Sequence, residues 1–548
     1  MNLLKRGWLV AAASVVVFVG LGLGLIAIGL RAGPPKVPGT QDATAAGPAD
    51  DEQLKGAKGQ LFDRKSVYIF LAAAKKAEAI ADPLQRCLAY PDPPGSHWSP
   101  ATVQAYCRYR TYPVMSYEEV RGLLQQGQYA ELDRRLAAML QDKLTKPDQL
   151  GVMDRAYDTW FDRGDLELRP LLENWKRAMP NSAFAYTASG ISYFGMGKQA
   201  RGGKYIRDTP DSNIEAMHRL VERAGEDLQH AIALDPRLTP AYAALIDASG
   251  YGLGDAAVVR GRTEGLRVDP ANFAIYNSLM FVSQPKWGGS LSAMTRTARE
   301  AATHAAQNPL LLLLREKELA YEDNIDDDGC DVPQRFALYS VVFDQAAVSQ
   351  QLLTAGYQAE SCMHLELSTV YFSEALRFYP EDDDVRIHRA YNLNEFDESA
   401  WATSEANLLV GKQPRNVRYL VARAYGYQSQ NDYARAEMDY QSALALAPTD
   451  GEAMMKLVAM YMNDTQEWDK AWSLADRAMQ AFPGDPYGWL LRAQIQERQP
   501  RKGLKETADY FQAHFDTNPD THRELLRMRA AQALEEGRAK ATAKVAPE

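Results

Sequence analysis

The ten residues from Glu322 to Asp331, EDNIDDDGCD, hold the densest run of ligand-type side chains in the chain. Setting Gly329 at the sixth position of a calcium loop places Asn324, Asp326 and Asp328 at ligand positions one, three and five. Position twelve then falls on Arg335, where calcium needs a bidentate carboxylate, and Pro333 interrupts the loop. The run therefore reads as a solvated acidic loop. EDDD at 381–384 reads as a solvated turn leading into the negatively charged start of a helix. His364 and Glu366 are close in sequence, but a two-residue spacing points them to different faces of a helix.

Other chemistries fare no better. Gly197-Lys198 and Gly203-Lys204 lack the earlier glycine of a phosphate-binding loop, and no strand precedes a glycine cluster. The nucleophile elbow G-x-S-x-G and the metalloprotease pattern H-E-x-x-H are absent. Only Ser290, His304 and scattered carboxylates remain for an enzyme, in no recognised arrangement. The sequence thus predicts no metal, no cofactor and no enzyme. Two glycine-bearing segments are candidate pocket rims or binding edges: Arg201-Gly202-Gly203 and Trp287-Gly288-Gly289-Ser290. For the second, a turn plugged by Trp287 is the favoured reading.

The elements that must position such residues follow from a period. Pro380, Pro414, Pro448, Pro483 and Pro519 fall 34, 34, 35 and 36 residues apart. Between two of them, NVRYLVARAYGYQSQNDYARAEMDYQSALALAP (416–448) carries Ala424 and Tyr427 in its first half. Its second half carries Tyr433, Ala436, Tyr440 and Ala443 at helical spacing. Small residues let two antiparallel helices approach, the tyrosines reach the next pair, and proline stops the second helix. The pattern resembles the tetratricopeptide repeat over roughly 360–520. Weaker copies lie upstream: HAIALDP ends at Pro236 and GLRVDP at Pro270, with Ala224, Leu228 and Ala231 in the equivalent positions. The expected fold is all-α, a TPR-like α-solenoid of antiparallel helix pairs with one N-terminal transmembrane helix.

Ser116 and Glu119 form a capping-box pattern before YEEVRGLLQQGQYAELDRRLAAMLQ. QYAELDRRLAAML, WKRAMPNSAFAYTASGISYFGMG, the ARGG insertion and PKWGGS together resemble the bacterial DUF4034 proteins over about 117–325. That resemblance implies a helical, repeat-like fold and carries no chemistry.

Trp8 to Leu30 is a run of 23 residues without a charge. As a helix it spans about 34 Å, the thickness of a hydrocarbon core, and exceeds the apolar core of a cleaved signal. Lys5 and Arg6 precede it, which favours a cytoplasmic amino terminus. The expected organisation is a tail at 1–7, a transmembrane helix at 8–30, a Pro/Gly/acidic linker at 31–58, a DUF4034-like helical-repeat domain at 59–330, a connector at 331–359 and a TPR domain at 360–545. This places the chain as a single-pass protein of a bacterial inner membrane with its body in the periplasm. Cys87 with Cys107 and Cys330 with Cys362 suit two local staples there. Four cysteines nevertheless allow three connectivities or four buried thiols. A net charge of −10 repels phosphate backbones, which argues against nucleic acid as a partner.

Aligning the repeats puts Tyr391, Asn394, Arg418 and Tyr425 on first helices, which line the inner face of such a stack. Aromatic area with guanidinium and amide donors suits a peptide-holding groove. The function expected is a membrane-anchored helical-repeat scaffold for a protein or peptide partner in the periplasm. The alternatives are an immunity-type inhibitor of an envelope-acting toxin, a secretion or envelope assembly component, and an enzyme with a pocket in 59–330.

Overall fold

The computed structural model describes residues 61–146, 148–322, 330, 333–499 and 501–545. Every regular element among them is a helix. The chain divides into two compact units at the Pro380–Glu381 bond.

Within 381–548 the helices come in pairs of near-constant length. Asp383–Asn394 precedes Ser399–Lys412, Val417–Ser429 precedes Tyr433–Leu446, Gly451–Asn463 precedes Trp468–Ala481, and Pro486–Arg498 precedes Leu504–Phe515. Ala424, Ala436, Tyr440 and Ala443 are fully buried, as are Ala471 and Ala475 of the next pair. Gly426 shows how tight the approach is: a Cβ there would stand 2.4 Å from Thr403 Oγ1.

The turn inside the first three of these pairs is the same device repeated, and it occurs again after Ser349–Ser361 in the other unit. The non-glycine residues in the left-handed region are Met363, Asp397, Asn431 and Gln466, at intervals of 34, 34 and 35. Each follows a first helix, at the position where a helix ends by reversing the sign of φ. Bonds that close the turn run from His364 N to Ala359 O (2.8 Å), Glu398 N to Leu393 O (3.0 Å) and Asp432 N to Tyr427 O (2.9 Å). At Gln466 the turn holds one more residue, and Glu467 N reaches Tyr461 O at 2.8 Å. The extra residue accounts for the longer interval.

A buried ion pair also repeats. Arg389 and Glu405 lie 16 residues apart, with side chains 0% and 2% exposed, and Arg423 bonds Asp439 across the same interval at 2.7 and 2.8 Å. Each links the first helix of a pair to its second. The next equivalent position is Leu457, and Arg492 beyond it turns back to Asp476 of the preceding pair.

In the 61–380 unit the pairs are less regular. Ser116 and Glu119 make the capping box: Ser116 N donates to Glu119 Oε2 at 2.7 Å and Glu119 N to Ser116 Oγ at 3.1 Å. The GKQARGGKYIRDTPDSNIEA insertion is absorbed by helix extension, giving Ala183–Arg201 with 19 residues and Asp211–Leu234 with 24. Gly190 lets these two pack, since a Cβ there would meet Leu228 at 2.6 Å. A π-helical turn at Ser249–Leu253 follows, with Gly252 at φ +102°. Near the sequence end of the unit, Arg377 reaches back to its start: its guanidinium donates to Cys87 O at 2.8 Å, Asp92 at 2.7 Å and Glu374 at 3.2 Å. Trp98 Nε1 donates to Phe343 O at 2.7 Å.

One expectation is corrected. No helix among the described residues is long and apolar enough to cross a membrane. The longest, Pro519–Val545, has 27 residues but carries Arg523, Glu524, Arg527, Arg529, Glu535 and Glu536 along its length. Residues 8–30 lie outside the described residues. Placement as a single-pass inner-membrane protein is not supported by the structure and is set aside.

Two stability outcomes follow. Gln466→Gly removes left-handed strain from a long side chain at the cost of backbone entropy, a net gain of ~0.5–1 kcal/mol. Urea unfolding should show a raised midpoint, and little change for Asn431→Gly, since asparagine tolerates this region. Glu405→Leu takes from the buried Arg389 and from Arg386 the carboxylate they share and should cost ~3 kcal/mol, while Arg389→Leu with Glu405→Leu regains part of it. A double variant as unstable as the single one contradicts this account.

Candidate functional site

Two walls carry chemistry, one in each unit. In 381–548 the first helices of successive pairs lie side by side: Asp383–Asn394 against Val417–Ser429, then Gly451–Asn463, then Pro486–Arg498. Residues at equal repeat positions therefore form ladders across them. Asp384, Arg418 and Glu452 are one such ladder, each 34 residues from the next. Arg418 meets Asp384 at 2.8 Å, with both side chains more than half exposed.

Tyr391 and Tyr425 form the second ladder, and their ring centroids are 5.9 Å apart. Tyr425 Oη donates to Glu395 at 3.1 Å. Lys456, from the third first helix, sets its ammonium 4.0 Å from the Tyr425 centroid and 5.1 Å from that of Tyr391. Burial lowers the Lys456 pKa, and Glu452 and Glu395 oppose that shift. Burial, then Glu452, raises the Tyr391 phenol well above its ordinary range. Asn394 donates to Ala390 O at 2.9 Å, one turn back on its own helix. The structure thus brings Tyr391, Tyr425 and Lys456 together, with Arg418 beside them on the charged ladder, and gives Asn394 a local role.

Lys456 is a residue that sequence reasoning missed. Its repeat equivalents are His388 and Ala422, so the period carries no mark of it. The available signal was a lysine inside the otherwise apolar run AMMKLVAM.

The second wall lies in the 61–380 unit. Val152–Phe161, Ala183–Arg201, Thr239–Ala248, Phe273–Val282 and Leu313–Glu322 are consecutive first helices in mutual contact. Asp154, Asp158 and Asp162 recur every four residues, a stripe along one helical face. Asp162 is paired with Lys198. Asp158 is exposed, yet its carboxyl is pushed well above the usual range, first by desolvation and then by Asp162, Asp247 and Asp154. Burial likewise raises Asp247 to about 7 and lowers Lys317 to about 8. The i, i+4, i+8 spacing of the aspartates was the legible signal for this wall, and it was missed.

The two glycine segments meet beside it. Arg201 holds its guanidinium 5.6 Å from the Trp287 ring and 5.9 Å from Tyr251. Trp287 packs on Tyr251 at 5.0 Å and Phe281 at 4.8 Å. Gly202 (φ +73°) and Gly203 are exposed at the tip, with open space around the position of a Cβ. Gly288 has φ +90°, and a Cβ on Gly289 would strike Ser283 O at 2.1 Å. Ser290 caps the next helix, accepting from Ala293 N at 3.1 Å. His304 packs near Tyr276, with ring centroids 6.3 Å apart.

Cys87 is bonded to Cys107 and Cys330 to Cys362. The acidic run 323–329 lies outside the described residues. Among the described residues no group of three or more His, Cys, Asp or Glu side chains is placed to hold a metal ion.

No curated protein matches this chain. Among solved structures it is similar to the crystal structure of yeast Tom70, at 12% identity over 76% of this chain and 95% of that one, with a TM-score of 0.30. It is also similar to the TPR domain of P58(IPK), at 13% identity over 75% and 98%, with a TM-score of 0.20. Residues 116–255 match the family model of a domain of unknown function, DUF4034. Residues 427–495 match that of the tetratricopeptide repeat. The chain carries a DUF4034 region followed in sequence by tetratricopeptide repeats, and its described regular elements are all helices.

Proposed function

We propose that this chain is a helical-repeat scaffold that binds a protein or peptide partner along the first helices of 381–548. The observation that carries this reading is the Tyr391–Tyr425 pair topped by Lys456, contributed by three successive first helices. Rigid rings offer a partner large contact area at little entropy cost, with a polar edge to fix its orientation. The neighbouring Asp384–Arg418 pair is solvent-exposed and contributes only about 0–1 kcal/mol, so a partner can exchange it for its own charges at little cost. The tetratricopeptide match at 427–495 supports the same reading, because such stacks present a continuous surface and need no reactive groups.

The test compares the intact chain with a Tyr425→Ala, Arg418→Glu variant in affinity capture from the source cell. A discrete partner should be recovered with the native chain. Its affinity for the purified partner should fall at least about tenfold in the variant, read at a temperature where both proteins are folded. Equal binding by both proteins rejects the surface.

A further inference from the structure

The wall in the 61–380 unit has a different character and points to a different ligand. Asp154, Asp158 and Asp162 keep carboxylate oxygens without donors, while Asp247 faces Lys317 and Ser278. The Asp158 side chain makes no hydrogen bond or ion pair among the described residues. Asp154 is 1% exposed, and although its Oδ2 stands 3.3 Å from Asn272 and 3.7 Å from Lys143, its buried Oδ1 has no donor. The buried Oδ1 of Asp162 has none either. Carboxylate oxygens withdrawn from water without donors are costly, and a ligand bearing N–H groups relieves that cost.

Independent of the carboxylates is the aromatic box of Tyr251, Phe281 and Trp287. Its occupant is already a guanidinium, that of Arg201, held at cation–π distance from two of the rings. The box and the carboxylates are joined through one helix: Phe194 packs on Tyr251 at 5.3 Å and carries the Lys198 ammonium 4.9 Å from its ring, Lys198 pairs with Asp162, and Asp247 lies four residues before Tyr251. Arg201 sits at the end of its helix before the exposed Gly202 and Gly203, so it can yield its place without disturbing a packed element.

We propose that this wall binds an arginine-bearing extended segment of a partner protein, with guanidinium groups between the Asp158 and Asp247 carboxylates and the Tyr251–Trp287 rings. A guanidinium suits both halves. It is planar enough to lie on the rings and carries five donors for the carboxylate oxygens. The site is separate from the tyrosine pair of 381–548, and its ligand class is cationic.

The probe is a fluorescein-labelled peptide of alternating glycine and arginine, titrated into the intact chain at 150 mM salt (roughly physiological) and read by anisotropy. Replacing arginine by citrulline, an uncharged isostere, should weaken binding at least about tenfold, as should Asp158→Asn with Asp247→Asn. Glu222→Gln with Glu226→Gln removes the same charge from the exposed outer side of Asp211–Leu234 and should leave affinity within about twofold. Tyr425→Ala with Arg418→Glu should leave it unchanged. Asp158→Asn alone loses no intramolecular bond, so it must weaken binding even where the double variant folds poorly. Equal binding of the citrulline peptide, an equal loss in the Glu222/Glu226 control, or full affinity in Asp158→Asn each overturns the proposal.

Discussion

A residue in left-handed conformation after each first helix governs the architecture of the repeats. A helix pair cannot bury its apolar stripe alone, so each pair is stable only against the next, and stacking requires every pair to reverse direction in the same way. Met363, Asp397 and Asn431 supply that reversal at a 34-residue interval, each closed by a bond back to a carbonyl of the last helical turn. Asparagine and aspartate reach this region at modest cost, whereas methionine and glutamine do so only because the packed helices on either side hold them there. The one extra residue at Gln466 lengthens the interval by one and leaves the stack intact. Turn geometry fixes the register, and buried alanines and tyrosines fill it.

Register determines function because it turns positions in one helix into columns across several. Asp384, Arg418 and Glu452 become a column of alternating charge, and Tyr391 with Tyr425 a column of rings, since each set shares a repeat position. Where the column of rings ends, at Ala459, Lys456 one turn earlier lays its ammonium over the tyrosines. The Arg389–Glu405 and Arg423–Asp439 pairs are the structural counterpart, columns turned inward. A buried pair adds little stability relative to an apolar one, but it is satisfied only when first and second helices of one repeat are correctly apposed. These pairs therefore serve specificity of packing more than its strength.

Much of this was legible in the residues. The proline interval located the pairs, Ala424, Ala436 and Ala443 marked the close approaches, and Ser116 with Glu119 announced a helix start. Features that break the period were harder to read. The ARGG insertion looks like a loop by its glycines, yet most of it continues two helices, because Tyr193 to Gln199 and Ser212 to Val221 retain helical spacing on either side. That Arg201 meets Trp287 depends on how far two helices extend before they turn, a tertiary quantity with no local signature. Lys456 escaped notice for a related reason: its place is set by the ring column, and its own repeat position carries histidine or alanine elsewhere.

Regular and irregular stacking also lead to different surfaces. Where the 34-residue interval holds, neighbouring columns present side chains in series, and a charge can find its opposite one repeat away, as Arg418 finds Asp384. Where it fails, across the long Ala183–Arg201 and Asp211–Leu234 helices and the π-helical turn at Ser249–Leu253, partners in series are lost. Asp158 then stands without a cation, Lys143 reaches only one oxygen of Asp154, and Lys198 pairs with Asp162. Desolvating carboxylates without full compensation is unfavourable for the isolated unit, so this stretch retains an electrostatic demand. Unpaired carboxylate oxygens beside aromatic rings are relieved by a cation, and the departure from periodicity is what creates the demand for one.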